Sequence, residues 1–398
     1  MASQFLCVVI LLVTGFVSAQ VSGSAANKAT LQSAAQAISA GKLDKAENDL
    51  HSVLQSSPDE SSALDLLGVV RILQHREPEA LDLFNRVVRN DPNFAPGRAH
   101  LGLLYLQMGR PQEAVPQLRE ALRIDAARTD AAGALVHILQ DQSQAAVNAG
   151  EINEAMGLLN EARRIAPDNA DVQYEFGLLA IRLGLLQDAV SALQKTLELR
   201  KNDPLAVYNL GRAFMELSKF EEARQQFAEY SKIRPDDPSG HCALGMTLAA
   251  LERSQEARAE FERSIALAPA QTESYYGLGL LELESQEFVE ASRHFRQVLK
   301  HESANTLALT ALGKTAFQQK HYEEAIPLLQ QALAHDDTMR EAHYYLGLTF
   351  ARTGRKAESA EQLEIATRLE HTEAERRRTT WTISEPPTTS HQQPSIPK

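Results

Sequence analysis

Residues 204–237 read PLAVYNLGRAFMELSKFEEARQQFAEYSKIRPDD, and they contain the signals that decide the fold. Leu210, Ala213 and Phe214 stand at i, i+3 and i+4, which marks one buried face of a helix. Gly211 lies inside that helix, where glycine costs about 1 kcal/mol relative to alanine. A glycine kept at that cost points to the close approach of a second helix. Ala223 plays the same part from the other side, and Phe227, four residues on, fills the space left between one unit and the next. Pro235-Asp236 ends the second helix and starts a turn. The stretch therefore predicts two antiparallel helices held together at small residues.

The pattern repeats along the chain. Ala46, Ala80, Ala114, Ala155, Ala189, Ala223, Ala257, Ala291 and Ala325 are 34 residues apart, except for one step of 41 between Ala114 and Ala155. Twelve residues before most of them stands a glycine: Gly68, Gly102, Gly177, Gly211, Gly245, Gly279 and Gly313. Gly347 continues that series, with Ser359 in the alanine slot of a tenth unit. The Leu-Gly pairs (Leu67-Gly68, Leu210-Gly211, Leu346-Gly347), the alanines and the closing prolines resemble the tetratricopeptide repeat family. The resemblance implies an all-α, right-handed superhelical solenoid of antiparallel helix pairs, with ten repeats over residues 27–373 and a long concave face. The family's tryptophan is absent from the repeats, where Leu64, Val207, Tyr275 and Leu309 stand instead. Unit one has Ala34 for the glycine, and unit four lacks the Leu-Gly pair.

Unit four also holds the extra seven residues. Residues 129–150 read as one first helix lengthened by two turns, which preserves the buried face because seven is close to twice 3.6. His137, Gln140, Asp141, Gln144 and Asn148 suggest an exposed ridge. A specificity element, a joint between two repeat blocks and a neutral insertion all fit this reading.

The ends differ from the repeats. Phe5 to Val17 is apolar and is followed by Val17-Ser18-Ala19, which reads as a signal peptide over residues 1–19, cut before Gln20. An uncleaved anchor is the other reading. Residues 20–26 are a lead-in, and residues 374–398 are rich in Thr, Ser and Pro and read as a disordered tail. After cleavage no integral membrane span is expected. The mature chain would then keep one cysteine, Cys242, and form no internal disulfide. The net charge of −12, from 40 Lys+Arg and 52 Asp+Glu, argues against nucleic-acid binding, which needs a basic stripe.

Chemistry is sparse. There is no GxSxG, HExxH, phosphate-binding glycine loop or CxxC, and the twelve histidines are scattered. Glu221-Glu222 and Glu323-Glu324 fall in the first turn of second helices, where negative charge suits the helix dipole. No catalytic residue, cofactor or metal site is expected, and the protein reads as a non-enzyme.

The function then rests on a surface. The family's first-helix residues line the concave face, and the matching positions of the later units are Tyr174, Tyr208, Asn209, Arg212, Tyr276, Lys314, Tyr344 and Arg352, with Arg340 and Tyr345 beside them. The early units offer Leu31, Asp65, Val69, Ala99, His100, Leu103 and Gln107. Tyrosine and arginine suit peptide capture, and Asn209 would hold a peptide backbone with its amide. The same tyrosines would serve equally well to pack the adjacent helix. The expectation is an exported scaffold that binds a protein or peptide in the periplasm or cell envelope, assembling or chaperoning a complex. The alternative is an accessory subunit of a polysaccharide or peptidoglycan glycosyltransferase or of a secretion machine. The sequence leaves the partner and the oligomeric state open.

Overall fold

The computed structural model describes residues 25–384, and among them it contains twenty α-helices and no strand. The protein is an all-α solenoid of consecutive helix pairs. The expected signal peptide and residues 385–398 lie outside the described residues. The chain divides after Lys201 into two compact units.

The first unit holds α1 (Ala25–Ser39), α2 (Leu43–Ser56), α3 (Ser61–Leu73), α4 (Glu77–Asn90), α5 (Ala95–Gln107), α6 (Pro111–Ile124), α7 (Thr129–Ala149), α8 (Ile152–Ile165), α9 (Ala170–Arg182) and α10 (Leu186–Leu199). The second holds α11 (Pro204–Glu216), α12 (Phe220–Ile233), α13 (Pro238–Ala250), α14 (Ser254–Leu267), α15 (Thr272–Glu284), α16 (Phe288–His301), α17 (Thr306–Gln318), α18 (Tyr322–His335), α19 (Arg340–Arg352) and α20 (Lys356–Ser384). Several first helices begin where an Asn or Asp side chain accepts from the opening amides, as Asp203 does from Leu205 and Ala206.

Eight of the ten pairs close on a glycine. A Cβ on Gly211 would come within 2.8 Å of the Phe227 ring, one on Gly279 within 2.5 Å of Phe295, and one on Gly102 within 2.7 Å of Leu118. These are residues of the same unit, so the large side chain lies on its own glycine. Phe261 reaches further: it also lies 2.5 Å from where a Cβ on Gly277, in the following pair, would be.

The turn within each pair is equally regular. A residue with φ near +60° follows the first helix, and the next amide bonds back across the turn, as Lys219 does to the Phe214 carbonyl at 2.8 Å. This is the Schellman arrangement, which satisfies carbonyls that the helix end leaves open. Gly41, Gly109, Gly150, Gly184 and Gly354 take that position in five units, but His75, Ser218, Glu252, Gln286 and Lys320 take it in the others. An L-residue there carries a steric cost of about 1 kcal/mol that glycine avoids.

Where the family has tryptophan, several units use a polar tie. Arg98 donates to the Pro92 carbonyl at 2.6 Å and to Gln117 at 3.0 Å. The ring of His241 bridges the Pro235 carbonyl (3.1 Å) and Glu260 (2.7 Å), and His343 bridges the Asp337 carbonyl (3.0 Å) and Gln362 (2.6 Å). Each tie fastens the preceding loop to the second helix of the same pair.

In unit four, α7 is 21 residues long where most first helices have 13. Its opening turns bury Ala131 and Leu135 completely, in one cluster with Ala114 and Leu118 of the pair before. His137, Asp141, Gln144 and Asn148 are exposed along it, and His137 lies 3.1 Å from Asp141. At the other end α20 runs to Ser384, so residues 374–384 are helical where the disordered tail was expected to begin. No proline lies between Lys356 and Pro386, so nothing in the backbone stops the helix earlier.

The turn geometry gives a direct prediction. Replacing Glu252 with Gly should raise the thermal unfolding midpoint, by a gain of up to about 1 kcal/mol, because the left-handed position no longer strains a side chain. Gly184→Ala should lower it by a similar amount. Circular dichroism melts of the two variants check both signs.

Candidate functional site

Within each unit, first helices also pack on one another. In the second unit, α13 touches α15, α15 touches α17 and α17 touches α19, while each second helix lies between the first helix of its own pair and that of the next. Outward residues of these first helices therefore join into one strip. The first unit has the same packing, of α1 on α3, α3 on α5 and α5 on α7, but most of the early candidate positions there are closed, while Leu178 on α9 is 36% exposed. Leu31, Asp65, Val69, Ala99, His100 and Leu103 are all buried, with Asp65 and His100 hydrogen-bonded at 2.8 Å. Gln107 alone among the early candidates is half-buried. The later positions are more open, and there the candidates fall into separate groups.

Tyr208 and Asn209 lie on α11 and are largely committed to the fold. The Tyr208 ring meets Phe227 edge-on at 5.4 Å and Tyr230 at 5.0 Å, and burial raises its hydroxyl pKa. Asn209 is buried; its amide donates to the Leu205 carbonyl at 2.8 Å and accepts from Arg212 at 3.1 Å. The amide expected to hold a peptide backbone thus bonds within α11, and Arg212 remains exposed beside it.

A second group joins α17 and α19. Lys314 bonds Glu341 at 2.7 Å and lies 5.3 Å from the centre of the Tyr345 ring. Burial opposes its charge most strongly, but the bond to Glu341, the attraction of that carboxylate and the nearby Tyr345 together outweigh it and raise its pKa. Tyr344 is 43% exposed and meets Tyr345 at 5.3 Å, near perpendicular. Arg340 opens α19 half-buried, and Arg352 is exposed at its far end. Tyr174 is half-buried on α9, in the first unit.

Tyr276, half-buried on α15 and 5.8 Å from Phe295, borders a hollow. This pocket of about 580 Å³ lies among α13, α15 and α17, a size typical of ligand sites. Its wall includes Met246, Ala250, Phe261, Leu280 and Leu307, with Gly277 leaving room for the Phe261 ring. Met246 and Leu307 are each 52% exposed and Leu280 is 37% exposed. A search for tyrosines and cations passes over these residues. The signal was present all the same: Met246 and Leu280 occupy the slot that carries Arg212 in α11 and Lys314 in α17.

Among the described residues no group of three or more His, Cys, Asp or Glu is placed to hold a metal ion, and no helix is long and apolar enough to cross a membrane. Cys242 is buried, and burial pushes its thiol pKa up.

Tetratricopeptide repeat family models match residues 33–93, 174–238, 242–308 and 310–369, and a second such model matches 105–180. The chain belongs to the tetratricopeptide repeat family. No curated protein matches the chain in sequence. Among solved structures, a tetratricopeptide repeat protein from Parabacteroides merdae is similar at TM-score 0.52 and 16% identity, over 59% of this chain and 93% of its own. MamA from Desulfovibrio magneticus gives TM-score 0.41 at 22% identity, over 43% of this chain and 97% of its own. YrrB, described as a repeat protein with an unusual peptide-binding site, gives 0.38 at 21%, over 46% and 95%. At such identities the likeness concerns the fold. Tetratricopeptide repeats are in general non-catalytic surfaces for binding proteins, and no catalytic family is indicated.

The tyrosine beneath Tyr208 makes a pH prediction. Tyr230 is buried and donates to Asp237 at 2.6 Å; burial first, then that bond, raise its pKa from 10.0 to about 12. A raised acid stabilises the fold fully below pH 10 and loses that contribution as pH climbs towards 12. Folding stability should fall by about 2 kcal/mol across this window, and Tyr230→Phe should remove most of the fall. Chemical denaturation at a series of alkaline pH values measures it.

Proposed function

We propose that this tetratricopeptide repeat protein is a non-catalytic scaffold whose second unit holds a polypeptide segment along the strip of first helices. The observation that carries this is a row of exposed apolar side chains on that strip, Leu205, Met246, Leu280, Leu307 and Tyr344, running past an open pocket. Water-facing apolar area of that extent is unfavourable in isolation and is recovered when a partner covers it. A polypeptide fits better than a small metabolite, because the open positions extend across five first helices.

The same scaffold is proposed to act outside the cytoplasm, assembling or chaperoning a complex in the cell envelope. Support for export comes from the apolar run Phe5 to Val17 and the small residues that follow it.

Each part has its own test. Panning a random peptide library on the protein should enrich sequences that Leu280→Asp or Leu307→Asp releases, with helicity unchanged by circular dichroism; no enrichment sensitive to either substitution refutes the groove. For export, N-terminal sequencing of the chain recovered from the envelope fraction of an expressing bacterium should begin at Gln20. Recovery from the cytoplasm with the first residues intact refutes export.

A further inference from the structure

We infer that the pocket among α13, α15 and α17 is built for a basic peptide segment, one that places a large apolar side chain in the hollow and a lysine or arginine beside it. This rests on reading the strip as a polypeptide groove and adds the chemistry of the occupant.

The argument is one of charge on an apolar background. Besides its hydrophobic wall, the pocket is bordered by three carboxylates, Glu273, Glu284 and Glu302, and by no lysine or arginine. Glu302 accepts from Thr272 and from Asn305 (2.8 Å), and these bonds hold its pKa below the usual carboxylate value. It stays ionised at neutral pH.

Glu273 and Glu284 are exposed and form no ion pair among the described residues. That sets them apart from the starts of the second helices, where Arg253 just before α14 pairs with Glu256 and Arg355 just before α20 with Glu358. The cations of the strip, Arg212, Lys314, Arg340 and Arg352, stand outside the pocket wall, and Lys314 is taken by Glu341.

Covering the hollow with an apolar side chain lowers the local dielectric and strengthens the field of these carboxylates. A neighbouring Lys or Arg is then attracted, while an Asp or Glu is repelled by all three. Like charge facing like charge at an interface opposes binding, whereas rim attraction chiefly speeds association. Leucine or methionine suits the hollow, since Met246, Leu280 and Leu307 offer flexible aliphatic contacts and Tyr276 a single ring.

The test uses the intact chain and the peptides enriched from the random library. They should carry Lys or Arg next to Leu, Met or Phe. Synthesised with a fluorescent label and measured by anisotropy, they should weaken about tenfold or more when their basic residues become Glu. The double variant Glu273→Gln with Glu284→Gln should remove most of that discrimination and flatten the salt dependence, both positions being exposed and outside the core. Two outcomes overturn the inference. If enriched peptides need Leu280 yet show no basic preference, or the double variant leaves their affinity and salt dependence unchanged, the charge inference fails while the groove stands. If nothing enriched responds to Leu280→Asp or to Leu307→Asp, both fail together.

Discussion

A phenyl ring or an isobutyl group lying against a glycine is the contact from which the rest of this structure follows. A Cβ at Gly68, Gly211, Gly279 or Gly313 would stand 2.5–2.8 Å from the side chain that covers it, so the glycine sets how near the two helices of a pair can come. Once that distance is fixed, Ala80, Ala223, Ala291 and Ala325 must also be small, and all four are fully buried. The turn joining the pair must then reverse the chain within a few residues, which needs the left-handed position after the first helix. Period, pairing and turn are consequences of one steric limit, repeated.

Because that limit needs glycine and alanine at fixed spacing, the repeat count and helix pairing could be read from the sequence. Where another residue meets the same limit, the signal faded. Unit four has no Leu-Gly pair, yet Ser143 stands twelve residues before Ala155, is buried, and donates its hydroxyl to the Ala155 carbonyl at 3.2 Å. A small side chain with an internal partner replaces the glycine. The loop ties of Arg98, His241 and His343 are similar: different chemistry at one position with one mechanical role. Nothing in the sequence marks Ser218, Glu252 or Gln286 as left-handed, since the turn imposes that conformation on whichever residue arrives there.

The surface was legible only in part, for a related reason. Outward positions of the first helices escape the packing limit, so their identities carry chemistry without geometry. Tyr208 and Asn209 have the composition of binding residues, but Phe227, Tyr230 and the backbone of α11 claim them. Met246, Leu280 and Leu307 resemble core residues in composition and stand open to water in a pocket wall that also holds the small Ala249, Ala250 and Gly277. Exposure is set by what the adjacent pair supplies, and that is a property of two units together.

Charge follows a similar division. At the starts of second helices, exposed pairs such as Arg110–Glu113, Arg253–Glu256 and Arg355–Glu358 recur at the same point of the repeat. Exposed pairs of this kind contribute less than about 1 kcal/mol each, so their main effect is to neutralise carboxylates locally. The net charge of −12 is therefore distributed unevenly, and the carboxylates left uncompensated have the greater reach. Glu273 and Glu284 belong to that remainder, beside an apolar hollow where screening weakens as water is displaced. Placing them there costs the fold little, since neither takes part in the glycine contact. It also gives the strip a sign, so a segment that is merely hydrophobic gains less from this surface than one that is hydrophobic and positively charged.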